Sequence, residues 1–271
     1  MLANFHTHTA FCDGKNTPEE IVNYAIARGF DSIGFSSHAI TEFNIDCELR
    51  DVNGYICEIN SLKEKYAGKI DIFLGAEFDY YSVGLMPEGC YDYKIGSVHF
   101  ARMGGDEYLD FDYKPEIIRE QVNKFFGGNS IAYAKKYYET LADMPNRVKA
   151  DFVGHFDLLT KFIEKNPTLI DVEAREYKNA ALEALIAVRE KMEFFEVNTG
   201  AMSRGHRTTP YPAPFILDEM KIRKCKLILT SDCHNMTYLD YHFDEAKEYL
   251  KSHGFGSLWY LTKTGFVERP I

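Results

Sequence analysis

A chain of 271 residues in which 45% of the side chains are hydrophobic, with 20 Phe and 18 Tyr, can bury a sizeable core, which argues against a disordered protein. Its formal net charge of -10 would repel a polyanionic backbone over most of the surface, so we expect no nucleic-acid partner. The N-terminus lacks a basic and apolar leader and no stretch reaches the roughly 18 apolar residues of a membrane span, so we expect a cytoplasmic protein with no membrane partner.

Strand and helix signals alternate along the chain. A first strand at residues 2–8 is followed by a helix start in which Thr17 is the cap, Pro18 the first helical residue and Glu20 the third. Further strands are predicted at residues 31–36, 70–78, 93–98, 152–154, 194–197, 226–230 and 258–261. Further helices are predicted at residues 51–66, 115–141, 172–191, after Pro214 and at 240–252. Repeated βα units with short connections favour a parallel sheet in one domain, residues 1–271.

Side chains that bind metals follow the predicted strands. With the exception of Asp13, each lies at or just after a strand end: His6, His8, Asp13, His38, Glu77, His99, His155, Asp232 and His234. Imidazole nitrogens and carboxylate oxygens suit zinc, manganese or iron. The alternation alone fits either a closed barrel or an open doubly wound sheet, but ligands from so many strands must converge. The sequence therefore predicts a barrel with a metal site where its strand ends meet.

Two pairs of residues carry most of this prediction. Residues i and i+2 of a strand point to the same side, so His6 and His8 could hold one ion, although a lone pair of this kind could also be solvated. Asp232 and His234 repeat the spacing at the end of a second apolar run. Glu77 also ends an apolar run, where a carboxylate is costly to bury unless a cation or hydrogen bonds meet it.

The remaining candidates are weaker one by one. A single histidine such as His38, His99 or His155 is more often structural than a ligand, but the three follow strand ends in the same manner. Asp13 precedes Gly14, and that dipeptide is also typical of a turn. We therefore expect the full set of residues to act together.

With these residues in place, the chain resembles the polymerase and histidinol phosphatase (PHP) superfamily. The similarity lies in the His-x-His opening, the isolated His and Glu, the Gly154-His155 pair and the closing Ser-Asp-x-His at residues 231–234. Within the superfamily the chain is most similar to the monofunctional histidinol-phosphate phosphatases. That similarity rests on Gly-His-Phe-Asp-Leu at residues 154–158 and Glu-Val-Asn-Thr-Gly at 196–200, followed by Arg204 and Tyr211-Pro212.

The resemblance implies an α/β fold, a distorted (β/α)7 barrel similar to a TIM barrel, with three divalent metal ions, Zn, Mn or Fe or a mixture. The first ion would be held by His6, His8, Glu77 and Asp232. The second would be held by Glu77, His99 and His155, and the third by Asp13, His38 and His234. Some members of the superfamily have a histidine at the position of Asp13.

The resemblance also implies the reaction, hydrolysis of L-histidinol phosphate to L-histidinol and phosphate in histidine biosynthesis. Two ions ligated by the catalytic residues Glu77 and Asp232 would turn a bridging water into the attacking hydroxide. Arg204, in the loop after residues 194–198, is the candidate cation for the phosphoryl group, and Arg207 is the next choice. His206 could contact the substrate or protonate its leaving group. Glu42 or Asp46 could bind the ammonium or imidazole group of the substrate. All of these residues could instead be solvated loop residues.

Other functions stay open at this point, because the residues alone support only multinuclear metal hydrolysis of an anionic ester. A PHP-type phosphoesterase could act on another small phosphorylated metabolite or on a nucleotide phosphodiester, although the acidic balance disfavours the latter. A non-catalytic metal-binding regulator is also conceivable. We disfavour it because every ligand position in the pattern holds a competent residue.

Overall fold

The computed structural model describes residues 1–43, 45–87 and 89–271. The strands in chain order are β1 (Ala3–Asn4), β2 (Ser32–Phe35), β3 (Asp71–Asp79), β4 (Tyr93–Ser97), β5 (Phe100–Gly104), β6 (Glu107–Asp110), β7 (Phe152–Val153), β8 (Phe194–Asn198), β9 (Lys226–Thr230), β10 (Ser257–Thr262) and β11 (Gly265–Pro270). The helices are α1 (Pro18–Ala27), α2 (Val52–Lys65), α3 (Pro115–Phe126), α4 (Ser130–Arg147), α5 (Arg175–Arg189), α6 (Gly200–Ser203), α7 (Pro214–Ile222) and α8 (Phe243–Ser252).

Seven strands of the described residues form one parallel sheet in the order β1-β2-β3-β4-β7-β8-β9. The sheet closes just beyond its two outer strands, where Thr7 and Cys233 form a parallel bridge. The amide of His8 donates to the Cys233 carbonyl at 2.8 Å, and the Cys233 amide donates to the His6 carbonyl at 2.9 Å. The sheet is therefore a barrel, which confirms the predicted distorted (β/α)7 architecture.

The first strand is shorter than predicted because of a side chain. We expected a strand over residues 2–8, whereas β1 spans only two residues. The amide of His6 donates to the side-chain oxygen of Asn4 at 3.0 Å, so it is taken out of the ladder of main-chain hydrogen bonds. The same Asn4 side chain donates to Ser231 Oγ at 2.7 Å. Asn4 thus ties the start of the barrel to the segment that follows β9.

The predicted start of α1 is confirmed. Thr17 accepts a hydrogen bond from the Glu20 amide at 3.3 Å, and the Glu20 carboxylate accepts one from the Thr17 amide at 2.9 Å. The predicted helix over residues 115–141 is two helices, since Gly127 ends α3 in the left-handed conformation with φ 59°. The predicted last strand is β10, which pairs antiparallel with β11 outside the barrel. The β5–β6 hairpin was not predicted.

One buried tyrosine fixes the strands that lead to the predicted ligands. Tyr93 of β4 donates its hydroxyl to the carbonyls of Phe5 at 2.7 Å and Phe35 at 3.1 Å. A Cβ on Gly34 or on Gly75 would lie 2.4 Å from atoms of the Tyr93 side chain, so both glycines make room for it. The ends of β1 and β2 are thereby held beside β4.

Helices surround the barrel, and among the residues that the structure describes none is both long and apolar enough to cross a bilayer.

Candidate metal centre

All nine predicted ligands lie together, as part of four overlapping groups in which the donor atoms are within 4.8 Å of one another. The groups are His6, His8 and Asp232; His6, Glu77 and His155; His38, Glu77 and His99; and His8, Asp13, His38 and His234. Six of the seven barrel strands supply them, either directly or through the segment that follows. The carboxyl ends of parallel strands meet at one end of a barrel, which explains why residues so far apart in sequence converge.

Glu77, at the end of β3, is the centre of the cluster and is 1% exposed. Its Oε2 atom lies 3.3 Å from His6 Nε2, 3.6 Å from His8 Nε2 and 2.9 Å from His38 Nδ1. Its Oε1 atom lies on the other side of the cluster and accepts a hydrogen bond from Ser97 Oγ at 2.7 Å. One carboxylate therefore faces two sets of ligands, as a bridging ligand must.

The second set contains the histidines that follow β4 and β7. Glu77 Oε1 lies 3.0 Å from His155 Nε2 and 3.4 Å from His99 Nε2. His99 is also held from behind, because its amide donates to Asp79 Oδ2 at 2.7 Å and its Nδ1 lies 3.3 Å from the same oxygen. Asp79 thus orients one of the predicted ligands.

Asp232 joins the ligand cluster to a positively charged side chain, that of Arg204. Its Oδ1 lies 3.1 Å from His8 Nε2 and 3.7 Å from His6 Nε2. Its Oδ2 accepts a hydrogen bond from Arg204 Nη2 at 2.8 Å. Arg204 follows the short helix α6, so the predicted phosphoryl-binding arginine lies at the edge of the ligand cluster.

Asp13 is the most exposed of the nine residues, with 35% of its side chain accessible. It lies in a turn, where the Gly14 amide donates to the Thr9 carbonyl at 3.0 Å. From that turn its Oδ2 lies 3.3 Å from His234 Nε2, and its Oδ1 lies 3.7 Å from His38 Nε2. The sequence left two interpretations of Asp13 open, a residue of a turn and a metal ligand. In the structure Asp13 lies in a turn and also close to the imidazoles of His38 and His234.

The cluster fits divalent cations because three of its buried ligating atoms lack a hydrogen-bond partner. Within the described part of the chain, His6 Nε2, His8 Nε2 and Glu77 Oε2 are buried without a hydrogen-bond partner. An unsatisfied buried polar atom costs about 1–3 kcal/mol, so three such atoms aimed at one space are unfavourable unless a cation meets them. Nitrogen and carboxylate donors of this kind bind zinc, manganese or iron.

The charges of the cluster compensate one another. Burial raises the pKa of the Glu77 carboxyl, but His6, His99 and His38 outweigh it and hold that pKa well below its usual value. Burial also raises the pKa of Asp232, and Arg204 and His6 reverse the shift so that its pKa is well below normal. Both carboxylates are therefore ionised, which is the form that ligates a metal.

The histidines differ in their preferred state. Burial, together with His234 and His38, lowers the pKa of His8 well below its usual value, so His8 is neutral and ready to ligate. Burial disfavours the charged form of His6 too, but the carboxylates of Glu196 and Glu77 outweigh it and raise its pKa well above normal. A proton on His6 and a metal cation at the same place satisfy the same carboxylates, so metal binding would release protons.

Glu196 of β8 also belongs to this site, although it was named from the sequence only as part of a motif. It is 1% exposed and lies 2.6 Å from His6 Nδ1 through its Oε1 atom. Its signal in the sequence is the same as that of Glu77, a carboxylate inside the apolar run Phe194-Phe195-Glu196-Val197. That signal would have placed Glu196 in the site.

The other predicted substrate contacts lie in different surroundings. Arg207 donates to Thr160 Oγ1 and to the Thr209 carbonyl, and its guanidinium stacks 4.4 Å from the centre of the Tyr211 ring. Its hydrogen bonds thus hold the loop that carries Arg204. Glu42 is exposed, and its Oε1 lies 3.0 Å from Arg102 Nη2.

His206 packs edge-on against Phe162 with ring centres 4.9 Å apart. Burial, followed by Lys161 and Arg204, lowers its pKa. The neutral form is therefore favoured. That form can accept a hydrogen bond from a substrate, but it is a poor proton donor to a leaving group.

A partly buried ion pair follows the β5–β6 hairpin and was not predicted. Lys161 Nζ donates to Asp112 Oδ2 at 2.8 Å. Burial raises the pKa of Asp112, but Lys161 and His99 reverse this and lower it to about 2. Asp112 lies just after β6, in a part of the chain for which no strand was predicted, so the pair has no counterpart among the expected site residues.

The family model described as "PHP domain" matches residues 4–200 of the chain. A histidinol-phosphatase of Bacillus subtilis is 28% identical over 264 residues, which cover 90% of this chain and 97% of that protein. A solved structure of a candidate histidinol phosphatase from Listeria monocytogenes superposes with a TM-score of 0.73 at 21% identity and covers 90% of this chain and 99% of its own.

A solved structure of the histidinol phosphate phosphatase of Lactococcus lactis, in complex with Zn, L-histidinol and phosphate, superposes with a TM-score of 0.66 at 22% identity and covers 98% of each chain. The family model spans most of the chain, from just before His6 to the residue where α6 begins. The chain therefore belongs to the PHP domain family.

Proposed function

We propose that the chain is a metal-dependent phosphomonoesterase that hydrolyses L-histidinol phosphate to L-histidinol and phosphate. The observation that carries the reaction type is the convergence of nine predicted nitrogen and carboxylate ligands in one cluster centred on Glu77, with Arg204 beside it. The substrate is supported by the Bacillus subtilis relative, which is named a histidinol-phosphatase and matches over nearly its full length. It is also supported by the ligands of the Lactococcus lactis structure, although that likeness by itself is one of fold.

We assign the ligands to three divalent cations, with zinc, manganese and iron as the candidates. His6, His8, Glu77 and Asp232 would hold the first, and Glu77, His99 and His155 the second, so that Glu77 would be shared between the two. Asp13, His38 and His234 would hold the third. Support for the first and third sites is the close grouping of His6, His8 and Asp232 and that of Asp13, His38 and His234. Support for the shared Glu77 is that its Oε2 lies 3.3 Å from His6 Nε2, while its Oε1 lies 3.0 Å from His155 Nε2 and 3.4 Å from His99 Nε2. When bound, the cations would supply a water nucleophile activated at neutral pH and would neutralise phosphoryl charge.

The protein's own residues would bind and orient the phosphoryl group. Arg204 Nη2 donates to Asp232 Oδ2 at 2.8 Å, and Nη1 donates to the Asp232 carbonyl at 3.3 Å and lies 3.2 Å from His234 Nδ1. Within the described residues Arg204 Nε has no hydrogen-bond partner, so its N–H and the second hydrogen of Nη2 remain to donate. A planar guanidinium fixed in this way can donate to two phosphoryl oxygens. It can thereby stabilise the charge that builds up in the transition state.

We keep His206 and Glu42 as candidate contacts for the organic part of the substrate. Neutral His206 would accept a hydrogen bond, and Glu42 would have to release Arg102 to meet the substrate's ammonium group. Arg207 would act on the substrate through the loop that it holds. The protein has a net negative charge, and the proposed cations and Arg204 are confined to the site. A small phosphorylated metabolite is therefore a better substrate candidate than a nucleic acid, whose long anionic backbone would be repelled by the rest of the surface.

A panel of substrates tests the proposal. The purified protein, treated with chelator and reloaded with Zn²⁺, Mn²⁺ or Fe²⁺, would be assayed for release of phosphate or alcohol. The panel would contain L-histidinol phosphate, phosphoserine, a nucleoside monophosphate and a nucleoside phosphodiester. We expect kcat/KM for L-histidinol phosphate to exceed the others by roughly 100-fold or more, because buried polar groups discriminate strongly between substrates. A preference for the diester, or no turnover of L-histidinol phosphate with any of the metals, would contradict it.

A further inference from the structure

We infer that Glu196 is a positioning residue that fixes the tautomer of His6, so that the Nε2 lone pair of His6 is presented to a cation. The inference rests on the metal centre of the proposed function. It concerns a residue that binds no cation itself.

Both oxygens of Glu196 are filled by donors. Oε1 lies 2.6 Å from His6 Nδ1 and accepts a hydrogen bond from Thr230 Oγ1 at 2.5 Å. Oε2 accepts from the His155 amide at 2.7 Å and from Asn198 Nδ2 at 2.9 Å. All four contacts are buried, so no water competes with them.

An ionised carboxylate can only accept hydrogen bonds. His6 Nδ1 must therefore carry its proton where it meets Glu196, and in the neutral ring the lone pair is then on Nε2. That atom lies 3.3 Å from Glu77 Oε2 and 3.7 Å from Asp232 Oδ1, on the side where the donors converge. A carboxylate that holds one ring nitrogen of a histidine while the other binds metal is a recurrent arrangement.

The same side chain also joins two strand ends. His6 follows β1 and His155 follows β7, and Glu196 of β8 accepts from the ring of the first and the amide of the second. The rings of His6 and His155 lie 5.8 Å apart between their centres. Glu196 thus sets both the tautomer of one predicted ligand and its placement relative to the other.

Glutamine at position 196 would reverse the tautomer. Its NH₂ group cannot occupy the place of Oε2, since the His155 amide and Asn198 Nδ2 both donate there. At the place of Oε1 the Thr230 hydroxyl can rotate to accept, but His6 Nδ1 must also become an acceptor. The proton then moves to Nε2, and the lone pair that faces Glu77 is lost.

The test uses Glu196→Gln with two readouts, zinc affinity by competition with a chromophoric chelator and the ¹⁵N NMR spectrum of protein labelled at histidine. We expect zinc to bind 10- to 100-fold more weakly, the usual effect of losing such a support. We also expect the His6 signals, assigned by their absence in His6→Gln, to show Nδ1–H in zinc-loaded wild type and Nε2–H in the variant.

Glu48→Gln is the matched control, since Glu48 is also buried and accepts a hydrogen bond from the Thr41 hydroxyl. It should bind zinc within threefold of wild type. Two results would overturn the inference. The first is zinc binding by Glu196→Gln within threefold of wild type, and the second is an Nε2–H tautomer of His6 in wild type. The second result needs only the wild-type protein, so it can be obtained even if the variant does not fold. Failure of wild type to bind zinc would instead contradict the proposed function.

Discussion

Replacing Glu77 with glutamine should lower kcat/KM for L-histidinol phosphate by about 10³-fold or more. Glu77 faces five predicted histidine ligands, and an amide in its place brings neither the negative charge nor the second ligating oxygen. Loss of metal-dependent stabilisation of about 4 kcal/mol corresponds to about 10³-fold in rate. Steady-state kinetics on protein reloaded with each metal, together with metal content, would measure the effect.

Thermal unfolding distinguishes this loss from simple misfolding. A ligand that binds only the folded state raises its stability, so added Zn²⁺ should raise the melting temperature of wild type and of Glu48→Gln. The Glu77→Gln protein should unfold cooperatively, with a melting temperature that zinc raises much less. Full activity of Glu77→Gln with an unchanged metal content would remove Glu77 from the centre of the mechanism.

Replacing Arg204 with alanine should lower kcat/KM roughly 100- to 1000-fold, the usual cost of removing one charged or hydrogen-bonding contact to a transition state. Arg204 is held on Asp232 at the edge of the cluster, and its guanidinium is suited to phosphoryl oxygens. Lysine restores the charge without the planar fork, so Arg204→Lys should recover only part of the loss. Kinetics of the two variants on L-histidinol phosphate would measure both effects.

Metal content is the companion measurement for Arg204, because its partner Asp232 is a predicted ligand. We expect zinc content close to that of wild type in both Arg204 variants. Arg223→Ala is the matched control, since Arg223 pairs with Glu219 near the end of α7 at 2.6 Å and contacts none of the predicted ligands. Kinetics of Arg204→Ala that match those of Arg223→Ala would assign phosphoryl binding to another residue.

The barrel was predictable because its requirements are visible in the sequence. Apolar runs alternate with amphipathic helices, and the predicted strand at residues 226–230 coincides with β9. Closure itself depends on a contact between distant segments, the Thr7–Cys233 bridge. No local pattern encodes that bridge, and a closed barrel was predicted only because the ligands had to converge.

The errors have local physical causes. A side-chain amide, that of Asn4, competes with the ladder at β1, which periodicity cannot reveal. The β5–β6 hairpin turns at Gly104-Gly105-Asp106, and Gly127-Gly128 separates α3 from α4. Both are turn signals present in the sequence, so these two errors were avoidable.

The ligand set was easier to predict than its supports. Histidines and carboxylates at strand ends stand out against apolar runs, and all nine lie in the cluster. The residues that orient them, such as Asp79 behind His99, differ from ordinary polar residues only in what they contact. The resemblance placed Glu77 at two ions, the first with His6, His8 and Asp232 and the second with His99 and His155. In the structure one oxygen of Glu77 faces His6 and His8 and the other faces His99 and His155.

Anomalous X-ray diffraction from crystals of the zinc-loaded protein would locate the cations independently of activity, and so would show whether they lie at the cluster around Glu77. We predict anomalous peaks about 2.0–2.2 Å from the nitrogen and oxygen donors of the cluster, with Glu77 shared between two of them. If the protein shows zinc-dependent phosphatase activity but the peaks lie away from Glu77, His8 and Asp232, or if the cluster holds no zinc, then the catalytic cations are not bound by these residues.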